Sequence, residues 1–368
     1  MEASKVYFTN LRTEVGTSRL TKLERLLHRA GIDKIDIKDK YVAIKIHFGE
    51  PGNLAFLRPN YAATVVKVIK ELGGKPFLTD CNTLYVGGRK NALDHIDSAY
   101  QNGYSPFATG CHVLIADGLK GTDEALVPVE GGVYVKEAKI GRALMDADVV
   151  ISLNHFKGHE GTGFGGALKN LGMGGGSRAG KMEMHSAGKP HVDTALCIGC
   201  GRCAKVCAHD APDLSSSRAV IDHDRCVGCG RCIGVCPKDA VLPASDESND
   251  ILNCKISEYA KAVVDGRPNF HINIVIDVSP YCDCHGENDV PIVPDVGMFA
   301  SYDPVALDVA CADAVNAQPV MPGSHLAEMP HEHHDHFTDS MPATDWRVGV
   351  EHAQKIGLGS TEYTLITI

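Results

Sequence analysis

Two cysteine runs between residues 197 and 237 constrain the fold more than any other feature of the chain. They read CIGCGRCAKVCA and CVGCGRCIGVCP, and both space their cysteines as C-x2-C-x2-C-x3-C. Three thiolates in a tight loop hold one face of a metal–sulfur cluster, and the fourth cysteine turns away from it. Two such runs in tandem predict a small unit in which each run supplies one ligand to the cluster of the other.

This spacing is the ligand pattern of a bacterial-type ferredoxin with two [4Fe-4S] clusters. The predicted ligands are Cys197, Cys200, Cys203 and Cys236 for the first cluster, and Cys226, Cys229, Cys232 and Cys207 for the second. Zinc knuckles and structural thiols are the alternatives, but a zinc site is four-coordinate and these runs supply eight reciprocally arranged ligands. The first run ends in Ala208 where the pattern has proline, which bears on the local turn and not on ligation.

The overall composition excludes several classes of protein. The chain has 368 residues, 14 of them cysteine, with a formal net charge of -10 and a sequence pI near 6.0. This charge gives no attraction to nucleic acid or to an anionic membrane, so neither is expected as a partner. The stretch MEASKVYFTNLRTEV lacks the pattern of an export signal, and no run approaches the roughly 18 apolar residues of a membrane helix. We therefore expect a cytoplasmic protein whose clustered cysteines bind metal.

Short apolar runs alternate with helical patterns on both sides of the cysteine runs. The predicted strands lie in KYVAIKIHF, GKPFLTD, CHVLIAD, ADVVISLN and FHINIVIDV, and a helix is predicted in RPNYAATVVKVIKELGG. This alternation predicts an α/β fold, with a mostly parallel sheet and helices on both faces, interrupted by a small α+β ferredoxin-like domain. The expected divisions are residues 1–186 and 246–368 for the two parts of the α/β domain and 187–245 for the insertion.

Polar side chains follow the predicted strands, where ligands bind in parallel sheets. The candidates for substrate binding are His47, Glu50, Asp80 and Lys169. Cys282 and Cys284 follow the last strand as a C-x-C pair, and we predict that they hold an additional metal or cluster together with His155 and His159. Taken singly, a histidine or aspartate after a strand is more often a loop residue or a helix cap. The remaining Cys111, Cys254 and Cys311 are expected in the core.

The stretch NHFKGHEGTGFGGALKNLGMG, residues 154–174, is rich in glycine. It contains G-x-G-x-x-G at residues 161–166, but not directly after a strand, and residues 175–182 resemble a phosphate loop with methionine at the hydroxyl position. Two interpretations remain open. Its amides, with Lys169, Arg178 and Lys181 nearby, bind an anionic group, or its glycines permit close packing against the inserted domain.

Several of these strings resemble the iron–sulfur family known as domain of unknown function 362. They are KIHFGEPGN, FLTDCNTLYVGGRKNALDH, NHFKGHEGTGFGGALKNLGMG, SRAGKMEMHS, CDC and VPIVPDVGMFASYDPVALD, and the resemblance covers nearly the whole chain. It implies an α/β domain interrupted by a two-cluster ferredoxin module, electron transfer through that module and a cytoplasmic setting typical of anaerobes. It implies no substrate.

Three functions are compatible with these patterns. The first is a ferredoxin-type oxidoreductase that passes electrons from two [4Fe-4S] clusters to a small molecule or metal at the strand ends. The second is an electron carrier whose α/β domain docks a low-potential donor or acceptor protein. The third is a metal or cofactor assembly factor, suggested by the C-x-C pair and by the histidine-rich run SHLAEMPHEHHDH. The sequence leaves the substrate and the oligomeric state open.

Overall fold

The computed structural model describes residues 3–85, 87–185, 189–243, 248–330 and 335–368. The strands of these ranges are β1 (Ser4–Asn10), β2 (Tyr41–Lys45), β3 (Lys75–Asp80), β4 (Val113–Ile115), β5 (Glu124–Pro128), β6 (Glu137–Gly141), β7 (Val149–His155), β8 (Lys157–His159), β9 (Gly163–Gly165), β10 (Pro190–Val192), β11 (Pro212–Ser216), β12 (Arg218–Ile221), β13 (Val241–Pro243), β14 (Asn269–Val275), β15 (Gly297–Ser301) and β16 (Tyr363–Thr367).

The α-helices of the same ranges are α1 (Arg19–Ala30), α2 (Pro59–Glu71), α3 (Ala92–Gln101), α4 (Pro106–Thr109), α5 (Arg142–Asp146), α6 (Ala167–Gly175), α7 (Arg178–His185), α8 (Arg202–Lys205), α9 (Arg231–Val235), α10 (Asn249–Val264), α11 (Pro304–Asn316), α12 (His325–Glu328), α13 (His336–Ser340) and α14 (Trp346–Lys355). No helix in the described ranges has the length and apolar character needed to cross a membrane.

Eight strands form one sheet in the order β16-β1-β15-β14-β7-β2-β3-β4. The neighbours from β14 to β4 are parallel, and so are β1 and β16. β15 pairs antiparallel with both β1 and β14, so it alone opposes the direction of the other strands in this sheet. The predicted α/β fold with a mostly parallel sheet is confirmed, and all five predicted strands are present.

Helices cover both faces of the sheet because its strands are apolar on both sides. Val150 of β7 packs into a core beneath α6, α10, α11 and α14, whereas its neighbours Val149 and Ile151 pack into a second core beneath α1 and α2. Every residue of β7 is buried, as expected for a central parallel strand. Cys111, Cys254 and Cys311 are buried, as predicted.

Residues 190–243 form a small cysteine-rich unit. β10 and β13 pair antiparallel, as do β11 and β12, while α8 and α9 each lie within one of the two cysteine runs. The two cysteine runs are 29 residues apart, and equivalent hydrogen bonds recur at this interval. The Ala211 amide donates to Cys207 Sγ at 3.4 Å, and the Ala240 amide donates to Cys236 Sγ at 3.2 Å. The predicted limits of the insertion fall beside residues 186–188 and 244–247, which lie outside the described ranges.

The cysteine-rich unit packs against the α/β domain through an apolar contact. Leu84 and Met182, both from the α/β domain, share a buried cluster with Ile233, Ala240 and Val241 of the unit. Cys197 and Cys203 are buried in the same cluster. This contact places the cysteines directly behind the loop after β3 and helix α7, which also border the strand ends.

Candidate functional site

The carboxyl ends of β2, β3, β7 and β14 converge on one cavity. It encloses about 660 Å³, part of it open to solvent. Its lining includes His47, Asp80, His155 and Cys284, four residues that the sequence placed at strand ends, and Lys169 of the glycine-rich stretch. The sheet therefore brings the predicted residues together, since the loops of parallel strands meet at this edge.

Asp283, the residue between the two cysteines, fixes the C-x-C turn through its side chain. Its buried carboxylate lies 2.7 Å from Lys157 Nζ and 3.2 Å from His155 Nδ1, with His47 Nδ1 at 3.6 Å. Burial opposes ionisation, but these neighbours outweigh it and hold the pKa of Asp283 well below its ordinary value. The turn between the two cysteines is thereby fixed by charge as well as by backbone contacts.

Lys169 of α6 lies beside both sulfurs of the pair. Its Nζ is 3.0 Å from Cys282 Sγ and 3.5 Å from Cys284 Sγ. Burial disfavours the Cys282 thiolate, but the hydrogen bond from Cys284 and the charges of Lys169 and Lys157 lower the pKa of Cys282 well below its ordinary value. The same hydrogen bond, together with burial, raises the pKa of Cys284. The pair therefore holds one thiolate and one thiol near neutral pH.

Arg89 is buried and joins three parts of the site. It donates from Nε to Glu50 at 2.6 Å, from Nη1 to His47 Nε2 at 2.7 Å, and from Nη2 to the carbonyl of Cys284 at 3.1 Å. Burial lowers the pKa of His47 to about 3, so this imidazole is neutral and accepts from the guanidinium. Glu50 thus holds Arg89 in place and does not itself line the cavity.

A chain of buried polar groups runs from the cavity floor into the sheet. Lys45 of β2 pairs with Asp80 at 2.9 Å and donates to Asn170 Oδ1 at 2.7 Å. Asn170 donates to Asn154 at 2.7 Å, and Asn154 donates to Asn273 at 2.8 Å. Because each member is satisfied by the next, Lys45 and Asp80 are held as an ion pair in the interior.

The imidazole of His155 does not face the sulfurs of Cys282 and Cys284. This orientation differs from the sequence prediction that His155 binds a metal together with them. Its Nε2 faces the Ile276 carbonyl at 2.8 Å and its Nδ1 faces Asp283, so both ring nitrogens meet oxygen atoms. His159 does contact Cys282, although its Nδ1 already accepts from the Gly161 amide at 3.0 Å. In the described ranges, no three His, Cys, Asp or Glu side chains are grouped to hold a single metal ion.

The sequence analysis missed several residues of the cavity. Lys157 lies in the short strand β8, and Arg89 lies in the loop after β3, well away from either strand end. Tyr85 and His185 form the wall toward the cysteine-rich unit, where the Tyr85 hydroxyl lies 2.7 Å from His185 Nε2. Lys157 could have been predicted, because it is a basic residue two positions beyond His155 at the end of a strand. No sequence pattern indicated that Arg89 would reach the cavity.

The glycines of residues 154–174 do not pack against the cysteine-rich unit, which corrects that interpretation. A Cβ at Gly172 would overlap the Ile256 carbonyl of α10, and one at Gly166 would overlap Asp308 of α11. A Cβ at Gly174 would meet Lys45. These glycines therefore let α6 approach α10, α11 and β2 closely. The close contacts with the unit come instead from Arg178, which fills the space beside Gly230 and Gly234.

The cysteine-rich unit contains a cavity that matches the first predicted ligand set. It encloses about 350 Å³, and its lining includes Cys197, Cys200, Cys203 and Cys236, drawn from both runs as predicted. A cubane is larger than one ion, so its ligands surround a cavity of this kind and do not meet at a point.

The second set also associates across the runs. The neighbouring thiols Cys229 and Cys207 contribute to raising the pKa of Cys226, after burial. The first set therefore fits a four-cysteine cluster, and three of the four cysteines of the second set lie near one another.

None of the described residues of the histidine-rich run lines the strand-end cavity. His331, His333 and His334 lie outside the described residues. His336 begins α13, and its Nε2 lies 2.9 Å from the Gln318 carbonyl.

Comparison with known proteins places the chain in a family. Residues 42–313 match the family described as domain of unknown function (DUF362). The chain belongs to the DUF362 family. Over 127 residues it is 29% identical to the thylakoid-associated protein sll1697 of Synechocystis sp., a segment covering 33% of this chain and 34% of that relative. The matched segment thus spans about a third of either protein.

Two solved structures show a low similarity to the chain. The lactate racemase apoprotein of Thermoanaerobacterium thermosaccharolyticum is 13% identical with a TM-score of 0.35, over 74% of this DUF362 chain and 51% of the racemase. A protein of Thermotoga maritima is 14% identical with a TM-score of 0.42, over 82% and 60% of the two chains.

Proposed function

We propose that this DUF362 protein is an iron–sulfur redox protein that passes electrons through two [4Fe-4S] clusters to a small molecule in the strand-end cavity. Cys197, Cys200, Cys203 and Cys236 would hold one cluster, and Cys226, Cys229, Cys232 and Cys207 the other. The clusters would supply single electrons at low potential. The single observation that carries the proposal is the cavity of the cysteine-rich unit, which is lined by four cysteines from both runs.

The position of the unit supports a connection between the cysteines and the strand-end cavity. Leu84 and Met182 pack against the cysteine-bearing cluster, and their near neighbours Tyr85 and His185 line the strand-end cavity. Among the described residues, this wall lies between the two. Within the cavity, Lys169, Lys157 and Arg89 would bind and orient an anionic acceptor.

The test is to prepare the protein anaerobically and to measure iron, acid-labile sulfide and the electron paramagnetic resonance of the reduced form. We expect about eight irons per chain and a signal of two interacting clusters. Cys200→Ala should lose about half of the iron and perturb the remaining signal, because the two runs share ligands. Cys111→Ala, at a buried cysteine outside both runs, is the matched control and should keep the full count. Zinc in place of iron would refute the proposal.

The carrier and assembly-factor alternatives remain predictions. An iron count clearly above eight that falls when Cys282 and Cys284 are replaced would favour a third centre, and with it the assembly factor or a metal-containing enzyme.

A further inference from the structure

We propose that Cys282 and Cys284 form a redox-active dithiol that reduces small anionic disulfides and becomes an intrachain disulfide itself. The dithiol chemistry is independent of the clusters, and the inference rests on the proposed function only for the cellular source of electrons.

The backbone places both sulfurs on one side of a tight turn. The His285 amide donates to the Cys282 carbonyl at 3.3 Å, and the Cys284 amide donates to Cys282 Sγ at 3.3 Å. Lys169 Nζ contacts both sulfurs, at 3.0 Å and 3.5 Å, so the two lie on the same side of the turn. Two cysteines whose sulfurs share one partner across a tight turn can form a disulfide by rotation of their side chains.

The same turn is held rigid on its other side. Asp283 is bound by Lys157, the Cys282 amide donates to Glu160 at 3.2 Å, and Arg89 binds the Cys284 carbonyl. Such fixation keeps the two sulfurs together in the reduced state, where free cysteines two residues apart would separate. It also fixes their direction toward Lys169.

The two cysteines differ in access, which assigns their roles. Cys284 lines the cavity, whereas Cys282 is fully buried behind it. Cys284 gives its proton to the Cys282 thiolate and attacks one sulfur of the substrate R–S–S–R′, forming Cys284–S–S–R and releasing R′–S⁻. Cys282 then passes that proton to the released thiolate, attacks Cys284 Sγ, forms the Cys282–Cys284 disulfide and releases R–S⁻, which takes a proton from water. One disulfide is reduced by two electrons and the pair is oxidised by two.

The cations of the cavity select the substrate class. Among the described residues, Lys157, Lys169, Lys181 and Arg89 line it together with a single carboxylate, Asp80. Asp80 is already paired with Lys45. A substrate with carboxylate or phosphate groups near its disulfide is therefore favoured over a neutral or cationic one.

The experiment uses the anaerobic holoprotein and oxidised glutathione as the probe. After acid quenching and alkylation, the peptide carrying residues 282–284 is analysed by mass spectrometry, and released glutathione and iron are counted. We expect an internal disulfide, two glutathiones released per chain and unchanged iron. Dithiothreitol should restore both alkylatable thiols. Cystamine, a cationic disulfide, should react at least about tenfold more slowly.

Two single variants separate the roles. Cys282→Ser should stop after the first step, so that Cys284 carries one glutathione and one is released. Cys284→Ser should react slowly, because the remaining sulfur is buried. The absence of an internal disulfide in the parent, or equal reaction of the two variants, would overturn the inference. So would loss of bound metal in the double variant, which would make the pair a ligand. Disulfide formation without bound iron would refute the proposed clusters and leave the dithiol intact.

Discussion

At the scale of single residues, the site depends on buried charges that are compensated one by one. Lys157 neutralises Asp283, Lys45 neutralises Asp80, and Lys169 neutralises the thiolate of the cysteine pair. Removing one member of such a pair leaves the other charge buried without compensation, which is strongly destabilising. Each lysine therefore sets the ionisation state of one partner.

Lys169→Met tests this compensation at the thiol pair. Without the ammonium group the pKa of the Cys282 thiol should rise, since an opposite charge at this distance changes a pKa by about 1 to 3. The pair then holds less thiolate at pH 7, and the rate at which iodoacetamide alkylates the accessible Cys284 should drop about tenfold or more. Lys169→Arg should keep most of the reactivity. Lys181→Met, which also removes a cavity lysine but one bound to the Gly176 carbonyl, is the control. Equal rates in all three variants would contradict the prediction.

The sequence predicted those site residues that immediately follow a strand. His47, Asp80 and the cysteine pair were found because each comes directly after an apolar run and such positions share one edge of the sheet. Arg89 was not found because its position depends on how the loop after β3 folds back over Glu50, which is a tertiary contact. The direction of the His155 ring was also beyond prediction, since Asp283 fixes it from a distant segment.

At the scale of elements, helix α6 carries Lys169 and Asn170 and is capped from another helix. The Asp308 carboxylate of α11 accepts from the amides of Ala167 at 2.7 Å and Leu168 at 2.9 Å, and from Asn273 at 2.7 Å. Gly166 precedes the helix and offers no side chain of its own for this purpose. The cap therefore fixes the start of α6 against the sheet.

Asp308→Ala should destabilise the protein by about 3 kcal/mol, because three buried donors lose their acceptor. The free energy of unfolding in urea measures this loss. Asp313 lies on the exposed side of the same helix. Asp313→Ala should therefore change the free energy of unfolding by less than about 0.5 kcal/mol. Similar losses in the two variants would mean that the cap is not specific.

Helices α10 and α14 are joined by a histidine whose ionisation should appear in the pH dependence of stability. The hydrogen bonds of His352 with Cys254 and Glu258 raise its pKa to about 9. A pKa raised in the folded state gives stability that is complete below about pH 6.5 and is lost as the pH rises through about 9. We expect a loss of about 1 kcal/mol across this range, after allowance for solvent screening. His352→Gln should remove this slope in thermal denaturation between pH 6 and 10, whereas His28→Gln, at an exposed histidine, should keep it.

The sequence predicted the five strands of the parallel half of the sheet and left out β1, β15 and β16. β2, β3, β4, β7 and β14 are short, apolar and buried, so their pattern alone identifies them. β1 and β16 are half-exposed, with mixed patterns that resemble ordinary surface segments. The reversal at β15 follows from its pairing between β1 and β14, which no local pattern records.

At the scale of the whole molecule, the cysteine-rich unit and the α/β domain meet through a small set of named contacts. Besides the apolar contact at Leu84 and Met182, Arg178 packs against α9 and Lys90 pairs with Asp239. The distance between the cysteines and the strand-end cavity depends on this contact, so the proposed electron transfer between them should be sensitive to it.

Gly234→Leu should loosen the contact, because a Cβ at this position would overlap the Arg178 guanidinium. We expect unchanged iron content and faster cleavage by a protease of the links to the cysteine-rich unit. We also expect slower oxidation of the reduced clusters by oxidised glutathione. Val227→Ala changes an exposed residue of the same unit and should have none of these effects. Retention of the parent cleavage rate would show that the side chain of Arg178 yields without moving the unit.

The pairing of β10 with β13 has a consequence for the history of the chain. Pro190 and Pro243 are register partners, so the unit begins and ends at adjacent points. A segment with adjoining termini can be spliced into a surface loop in one genetic event, because the host chain leaves and resumes at the same place. The sheet takes β1 to β4 and β7 from before the unit and β14 to β16 from after it, and neither group has to be rerouted. A host that acquired such a graft would have kept its strand-end cavity and gained, beside it, the unit that we propose to supply electrons.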